Sequence, residues 1–483
     1  MVYTYTTSPD VVNTLHDVLK QRGWKYIKQS NPTTTHPNLN WQTYRRGLHT
    51  NEYSNNDTDN NGMLCKINHF KHSEHICKKN MLAYTIHHHH TLYDPNDTTI
   101  ELYNYTPVTF VLPDQLQQCI KHMQQYNQPM ILKPSTGRQG KNITIITSIN
   151  QLPGISDKTQ YVCQQYIDKP YLGIANYKFD LRIYVLVRSY NPLEIYVHKH
   201  GLVRFSSHPY SNDSYHNPYK HLTNFSVNKH NRHDINMDRP IIGRGCKWTL
   251  HQLHEYFTEN KINYNYIIQY IHILIISTIL TSIGTVQHTN KSFELFGFDV
   301  MLDSTLQPWL LEVNASPALA TTTSQDKQVK IDMLNDLLDC IGFTRELTLN
   351  HKSNNDTVHK PSVTSHKRKL KRHTPDRPGI RPSVQPLISF TTNDSMDSNS
   401  SNESDHDIPT NTSNRVSTAS YDYGGFQCVY PFNDVTRDLS QHNHRLYKQV
   451  AVREIKKRFY LLQMNTPYDK PVHLSHTINS MND

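Results

Sequence analysis

The sequence predicts a mixed α/β (α+β) chain built mainly on antiparallel strands, and three observations carry that expectation. Residues 177–187 alternate charged and apolar side chains, the period of a strand. Two apolar-rich runs, residues 292–303 and 308–319, are separated by the short turn Ser304 to Gln307 and so should fold back as a hairpin. From about Thr106 to Phe343 β-branched runs, helical runs and sharp turns alternate, whereas after Thr344 Asn, Ser, Thr, Asp and Pro dominate.

A chain of 483 residues is long enough for two or three packed units and an enclosed site. Lys and Arg number 50 against 41 Asp and Glu, a net +9 before any of the 31 His is protonated. The excess favours an acidic partner, whether nucleic acid, anionic membrane or acidic polypeptide tail, and fits a surface set by solubility equally well. The seven cysteines are scattered, odd in number and form no CxxC pair, which argues against a disulfide framework or structural zinc and for a reducing cytosol. The start, MVYTYTTSPD, has no basic stretch followed by an apolar run, so a signal peptide is not expected. The apolar stretch Ile267 to Ile283 is short and contains Gln269 and His272, which favours a buried core helix over a membrane span.

Residues 1–104 are expected to form a smaller N-terminal domain that includes a solvated loop at Thr50 to Gly62. Its run His87 to His90 fits metal binding less well than compositional drift. Residues 105–343 read as the globular core. Residues 344–420 hold too few large apolar side chains to offset the entropy of ordering, and read as a disordered linker. Within it Ser365 to Pro382 gathers Lys367, Arg368, Lys369, Lys371 and Arg372, a cluster that suits an acidic surface, a nuclear signal or simply solvent. Residues 421–483 form a partly helical extension, with VYPFND at Val429 to Asp434 and a helix-like run at Val450 to Leu462.

In YKFDLRIYVLV the alternation places Lys178, Asp180 and Arg182 on one strand face and Phe179, Leu181 and Ile183 on the other, a pattern that an amphipathic surface strand shares. On the second strand of the expected hairpin Glu312 and Asn314 share a face while Leu311 and Val313 point away. On the first, Asp299 lies between Phe298 and Val300, where an unpaired carboxylate would be costly. Two carboxylates and an amide oxygen from adjacent strands make a hard-oxygen site suited to Mg²⁺; a hydrogen-bonded structural network is the alternative. The run ILKPSTGRQGKNITII offers Lys133 at a strand end, then a loop with Gly137, Gly140 and Lys141 whose backbone can approach phosphate. The P-loop spacing is absent, and an ordinary hairpin loop fits this run as well.

In order, a lysine with a Gly loop, a charged strand, then Asp followed by Glu-x-Asn resembles the ATP-grasp architecture, which implies nucleotide held between two mainly antiparallel sheets. YVCQQYIDKP, KFDLRIYVLV, GLVRFSSHPYS, KHLTNFSVNK, GCKWTL and FELFGFDVMLD with PWLLEVNASPAL together resemble the tubulin-tyrosine-ligase-like family from about Tyr105 to Phe343. RGWKY, NHFKHSEHICKKNML and VYPFND look like its more degenerate flanks.

The resemblance implies roles residue by residue. Lys133 and Lys178 would bind nucleotide with the loop residues Gly140 and Lys141. Gln164, Gln165, Tyr166 and Ile167 would form the hinge beside adenine, Asp180 would face the ribose, and Thr223 and Asn224 would be a second ATP-contacting pair. Asp299, Glu312 and Asn314 would ligate magnesium, with two ions expected. Arg182, Arg204, Ser226 and Lys247 would receive the incoming amino acid or the acceptor tail, and Arg182, Lys133 and Glu312 would be the catalytic set.

Two departures stand out: Gly140 is followed by Lys141 and Asn142 where the family has two glycines flanking one residue, and Phe225 stands where Tyr is common. Asn tolerates left-handed backbone, so the turn should survive.

GLVRF, HLTN and GCKWTL look most like the glutamylase branch. That likeness implies an ATP-dependent ligase adding free L-glutamate to the γ-carboxylate of glutamates in tubulin C-terminal tails through an acylphosphate. A cytoplasmic, cytoskeletal or ciliary monomer follows, with neither nucleic acid nor membrane as partner. Glycine or tyrosine ligation within the family, a non-catalytic microtubule-binding pseudoenzyme and a charge-driven nucleic-acid binder are the competing readings.

Overall fold

Strand β9 (Phe179–Tyr190) organises the fold. In the computed structural model, residues 2–28, 37–43, 64–91, 104–137, 140–152, 160–228, 246–344, 422–431 and 454–455 are described. Residues 1–345 and 420–483 fall in one unit, and residues 346–419 are set apart from it. The latter stretch lies wholly outside the described residues, as do the expected loop at 50–62, the basic cluster at 365–382 and, apart from 454–455, the helix-like run at 450–462.

At the N-terminus β1 (Thr4–Thr7), α1 (Asn13–Gln21), β2 (Lys25–Tyr26), β3 (Leu39–Trp41) and β4 (Lys66–Ile67) are followed by α2 (Lys79–Thr91). The four strands make a parallel sheet in the order β2-β1-β3-β4. In α1 Leu15, Val18 and Leu19 recur at helical spacing and are buried.

A second sheet, fully antiparallel, is built from β5 (Thr109–Leu112), β6 (Met130–Pro134), β7 (Thr144–Ile146) and β8 (Tyr161–Gln165) in the order β5-β8-β6-β7. Helix α3 (Leu116–Tyr126) follows β5, and its Cys119 and Met123 pack with Leu132 and Cys163 of the sheet.

The large antiparallel sheet has seven strands. Besides β9 it contains β10 (Leu193–His198), β11 (Leu202–Phe205), β12 (Lys247–Thr249), β13 (Glu294–Leu302), β14 (Pro308–Asn314) and β15 (Phe426–Tyr430). Strand β13 runs along one edge of β9, and β11 and β10 share the other, β11 over Phe179 to Arg182 and β10 from Val185 onward. Helices α4 (Pro218–His221) and α5 (Phe225–Asn228) precede β12, and α6 (Leu250–Glu259), α7 (Tyr264–Thr281) and α8 (Ser324–Cys340) complete the unit.

Both faces of β9 are covered, so it is not the surface strand that its alternation also allowed. Phe179, Leu181, Ile183, Val185 and Val187 pack in a cluster with α6 and α7, whereas Tyr184 and Leu186 pack with Val329, Met333 and Leu337 of α8. The second face is charged from Lys178 to Arg182 and apolar from Tyr184, and the change marks where helix cover gives way to a cleft. The expected core helix is α7: it is long and apolar enough to cross a membrane, with mean hydropathy 1.3, and 67% of it is buried within the fold.

The hairpin forms as its alternation predicted, with Asp299 directly opposite Glu312. Its register then slips: Val300 pairs with Leu310, leaving Leu311 as an extra residue on β14. Strict alternation sends Leu311 away from Glu312, but this bulge turns both into the cleft.

Candidate active site

The cleft lies between the small antiparallel sheet and the large one. Its empty space, counting the part open to solvent, is about 820 Å³. Ile131, Ile143 and Leu222, which pack in one cluster, and Met301 and Leu311 of the large sheet give it an apolar slot that suits a flat heteroaromatic ring. Lys79, Lys133, Lys141 and Lys178 supply positive charge, and Asp180, Asp299 and Glu312 supply the acidic groups.

Lys133 at the end of β6 and Lys178 just before β9 are both buried. The Lys133 ammonium donates to Gln164 Oε1 at 2.7 Å, and Gln164 in turn donates to Thr109 Oγ1 at 2.8 Å, which fixes its amide. Lys178 donates to the Tyr166 hydroxyl at 2.6 Å and sits 3.9 Å over that ring. Both ammoniums are therefore bonded to neutral oxygens. Burial lowers Lys133 to about 8, with Glu312 opposing and Lys79 adding. Burial, then the charge of Lys133, lowers Lys178 to about 7. Two such groups facing one cleft favour an anion between them.

Strand register builds the charge network beside them. Arg182 on β9 lies opposite Asp299 on β13, and Asp180 lies opposite Arg204 on β11. Arg182 donates from Nε at 2.6 Å and Nη2 at 3.0 Å to Asp299, and Arg204 reaches the same carboxylate at 2.8 Å. Arg204 also forks onto Asp180 at 2.6 and 2.7 Å, and Thr223 Oγ1 donates to that carboxylate at 2.5 Å. Burial works against ionisation of Asp299, yet the two guanidiniums hold it well below the usual carboxylate range. Lys247 is paired with Asp326 at 2.9 Å. Of the cations assigned to substrate carboxylates, Arg182, Arg204 and Lys247 are thus each matched by an internal carboxylate.

Glu312 is different. Its side chain is 28% exposed, and its nearest cation is Lys79 at 3.5 Å. Asn314 brings Nδ2 to 3.4 Å from both Asp299 and Glu312, so the three residues converge. This donor set fits a hard cation once the amide turns to present Oδ1 and gives up its Nδ2 donation to the Gly297 carbonyl at 3.2 Å. Asp299 would have to share its oxygens with the guanidiniums. Among the described residues no group of three or more His, Cys, Asp or Glu could hold a metal ion.

Of the residues proposed from the sequence, Lys133, Gly140, Lys141, Gln164, Gln165, Tyr166, Ile167, Lys178, Asp180, Arg204, Thr223, Asn224, Asp299 and Glu312 all line the cleft. Among the described residues the wall does not include Arg182, Ser226, Lys247 or Asn314. Gly140 has φ +70°, and a Cβ there would come within 2.8 Å of Val227 and 3.0 Å of Asn224, so this glycine is required for close approach. Asn142 adopts the left-handed backbone expected of it, at φ 55°.

The sequence reading missed Lys79 and His221. Lys79 comes from α2, distant in sequence from the other cleft residues, and also donates to the Gly137 carbonyl at 2.9 Å; it was visible only as part of NHFKHSEHICKKNML. His221 was visible only as part of KHLTNFSVNK.

Comparison with known proteins adds an independent observation. A profile described as the tubulin-tyrosine ligase family matches residues 56–352. The chain is 34% identical over 344 residues to a human (Homo sapiens) protein named probable tubulin polyglutamylase TTLL2, covering 69% of this chain and 54% of that one. It is 33% identical over 314 residues to tubulin polyglutamylase TTLL5 of Mus musculus, covering 63% of this chain and 23% of that protein. With tubulin monoglutamylase TTLL4 of Mus musculus it shares 37% identity over 290 residues, 58% of this chain and 24% of that protein. The chain thus spans about half of the first relative and about a quarter of the other two.

Proposed function

This chain belongs to the tubulin-tyrosine ligase family, and from that premise we propose that it is an ATP-dependent ligase that joins free L-glutamate to glutamate side chains of tubulin C-terminal tails. The observation that carries the reading is the cleft itself, where two buried lysines bonded to neutral oxygens face Glu312 beside an apolar slot. The glutamylase names of the relatives support glutamate as the amino acid added.

A carboxylate is a poor electrophile. Transfer of the γ-phosphoryl group of ATP to an acceptor carboxylate oxygen gives an acylphosphate and ADP. The glutamate amine then attacks the carbonyl carbon, the C–O bond to phosphate breaks, and the nitrogen sheds a proton. Lys133 and Lys178 offset charge on the phosphate oxygens, the apolar slot holds the base and Asp180 faces the ribose. Gln164 to Ile167 form the hinge beside adenine, and Gly140, Lys141, Thr223 and Asn224 close over the nucleotide. Magnesium, when bound, would rest on Glu312, Asn314 and Asp299 and supply Lewis-acid charge to the phosphates. Arg204, which borders the cleft but is held by Asp180 and Asp299, would meet a substrate carboxylate only by sharing its guanidinium with them. Arg182 holds Asp299, and Lys247 anchors Asp326 near the same end.

Incubation with tubulin and ATP plus glutamate, glycine or tyrosine, followed by mass spectrometry of the tails, tests this. Glutamate should be added, and only glutamate; addition of glycine or tyrosine alone, or of nothing, overturns the reading.

A second expected result concerns protons. Lys178 at about 7 and Lys133 at about 8 are partly neutral at pH 8. Triphosphate favours their charged forms, so binding at pH 8 should take up protons, and affinity should fall as pH rises through 7 to 8. Calorimetry in two buffers of different ionisation enthalpy measures the uptake; identical heats would remove these lysines from the phosphate site.

A further inference from the structure

His221 ends α4 beneath the cleft, and both of its ring nitrogens are engaged. Nε2 lies 2.8 Å from the Ser214 carbonyl, an acceptor only, so Nε2 carries the proton. Burial favours the neutral ring, in which Nδ1, 2.9 Å from the Tyr166 hydroxyl, then accepts. The Tyr166 proton points at His221, which leaves the phenol oxygen to accept from Lys178 at 2.6 Å. The chain of donors therefore has one direction: Lys178 to Tyr166, Tyr166 to His221, His221 to the Ser214 backbone.

The surroundings leave little slack. His221 and Tyr166 are both buried, the Tyr215 ring stacks on the imidazole, and the Tyr210 ring meets it edge-on. Tyr210 is itself fixed by donating to the Asp168 carbonyl at 2.7 Å. Lys178 has a long, flexible stem, and its ammonium is placed by the Tyr166 oxygen and the Tyr166 and Tyr210 rings.

We propose that His221 is a positioning residue for nucleotide: through Tyr166 it fixes the Lys178 ammonium at the point where it meets phosphate. Without the Nδ1 acceptor, the Tyr166 proton is shared between the Tyr210 oxygen and the direction of Lys178, and the ammonium loses its fixed acceptor. The proposal rests on the nucleotide reading of the cleft and adds to it a residue that acts without being the phosphate ligand.

The test uses the full chain, with binding of magnesium and ATP followed by calorimetry and folding followed by thermal melting. His221→Phe should weaken nucleotide binding by about ten- to a hundredfold, the effect of losing one hydrogen bond to a charged group. In turnover it should raise KM for ATP with little change in kcat. His221→Asn keeps an acceptor near Nδ1 and should recover most of the affinity. Should His221→Phe fail to fold, His221→Gln carries the test, because it reaches the Nε2 position, leaves the Nδ1 position empty and should bind as weakly; where His221→Phe folds, Tyr166→Phe should add no further loss to it. Folded His221→Phe with wild-type affinity, or His221→Asn as weak as His221→Phe, overturns the proposal. Absence of ATP binding in the wild-type chain would instead overturn the functional reading.

Discussion

Glu312→Gln is expected to cut glutamate ligation by about 100- to 1000-fold, the scale of removing one electrostatic group aimed at a transition state. The variant keeps the shape of the side chain and removes its charge. Glu312 is partly exposed, 3.5 Å from Lys79 and 3.4 Å from the Asn314 amide, so the fold loses little when it is neutralised. Mass spectrometry of tubulin tails reads the activity, and a thermal melt shows whether the fold persists. Full ligation by the variant would strike Glu312 from the metal and catalytic sets.

Asp299→Ala should act on the fold instead. Asp299 lies between Arg182 and Arg204, and its removal strips Arg182 of the carboxylate it forks onto and leaves Arg204 with Asp180. Breaking a buried pair in this way costs about 3–5 kcal/mol, because an uncompensated charge stays behind. The denaturant midpoint should fall accordingly, and Asp299→Asn, which keeps an acceptor, should fall less. The sign with pH follows from the depressed carboxyl. Its stabilisation is present above the ordinary carboxylate range and lost only in strong acid, so the deficit should stay constant from about pH 5 to 8. A variant as stable as the parent would mean that the network does not hold the sheet together.

The parts of this fold that the sequence revealed are those governed by short-range period. The hairpin of β13 and β14 and the buried helix α7 follow from period-two alternation and continuous apolarity, and the Gly loop from its own residues. The bulge at Leu311 was not legible, because register is settled by pairing across strands and not by either strand alone. The N-terminal parallel sheet escaped notice because its strands run to four residues at most, too short to show a period. In the cleft, the sequence named every charged residue but Lys79, and none of their partners. That Arg182 and Arg204 are matched by Asp299 and Asp180 is a fact of strand register. Lys79 is brought to Glu312 by the placing of α2, which no spacing rule encodes.

Strand β15 has a consequence for how the chain is made. Its residues Phe426 and Tyr430 are buried, it pairs along β10, and Gly425 donates to Asp336 at 2.6 Å. Every residue assigned to the cleft precedes it by more than a hundred positions in the chain. On the ribosome the part that carries the cleft therefore emerges with one sheet margin unzipped, the outer side of β10 bare until β15 arrives. A polypeptide stopped at residue 344 would retain the whole cleft and still be prone to stick to its own copies.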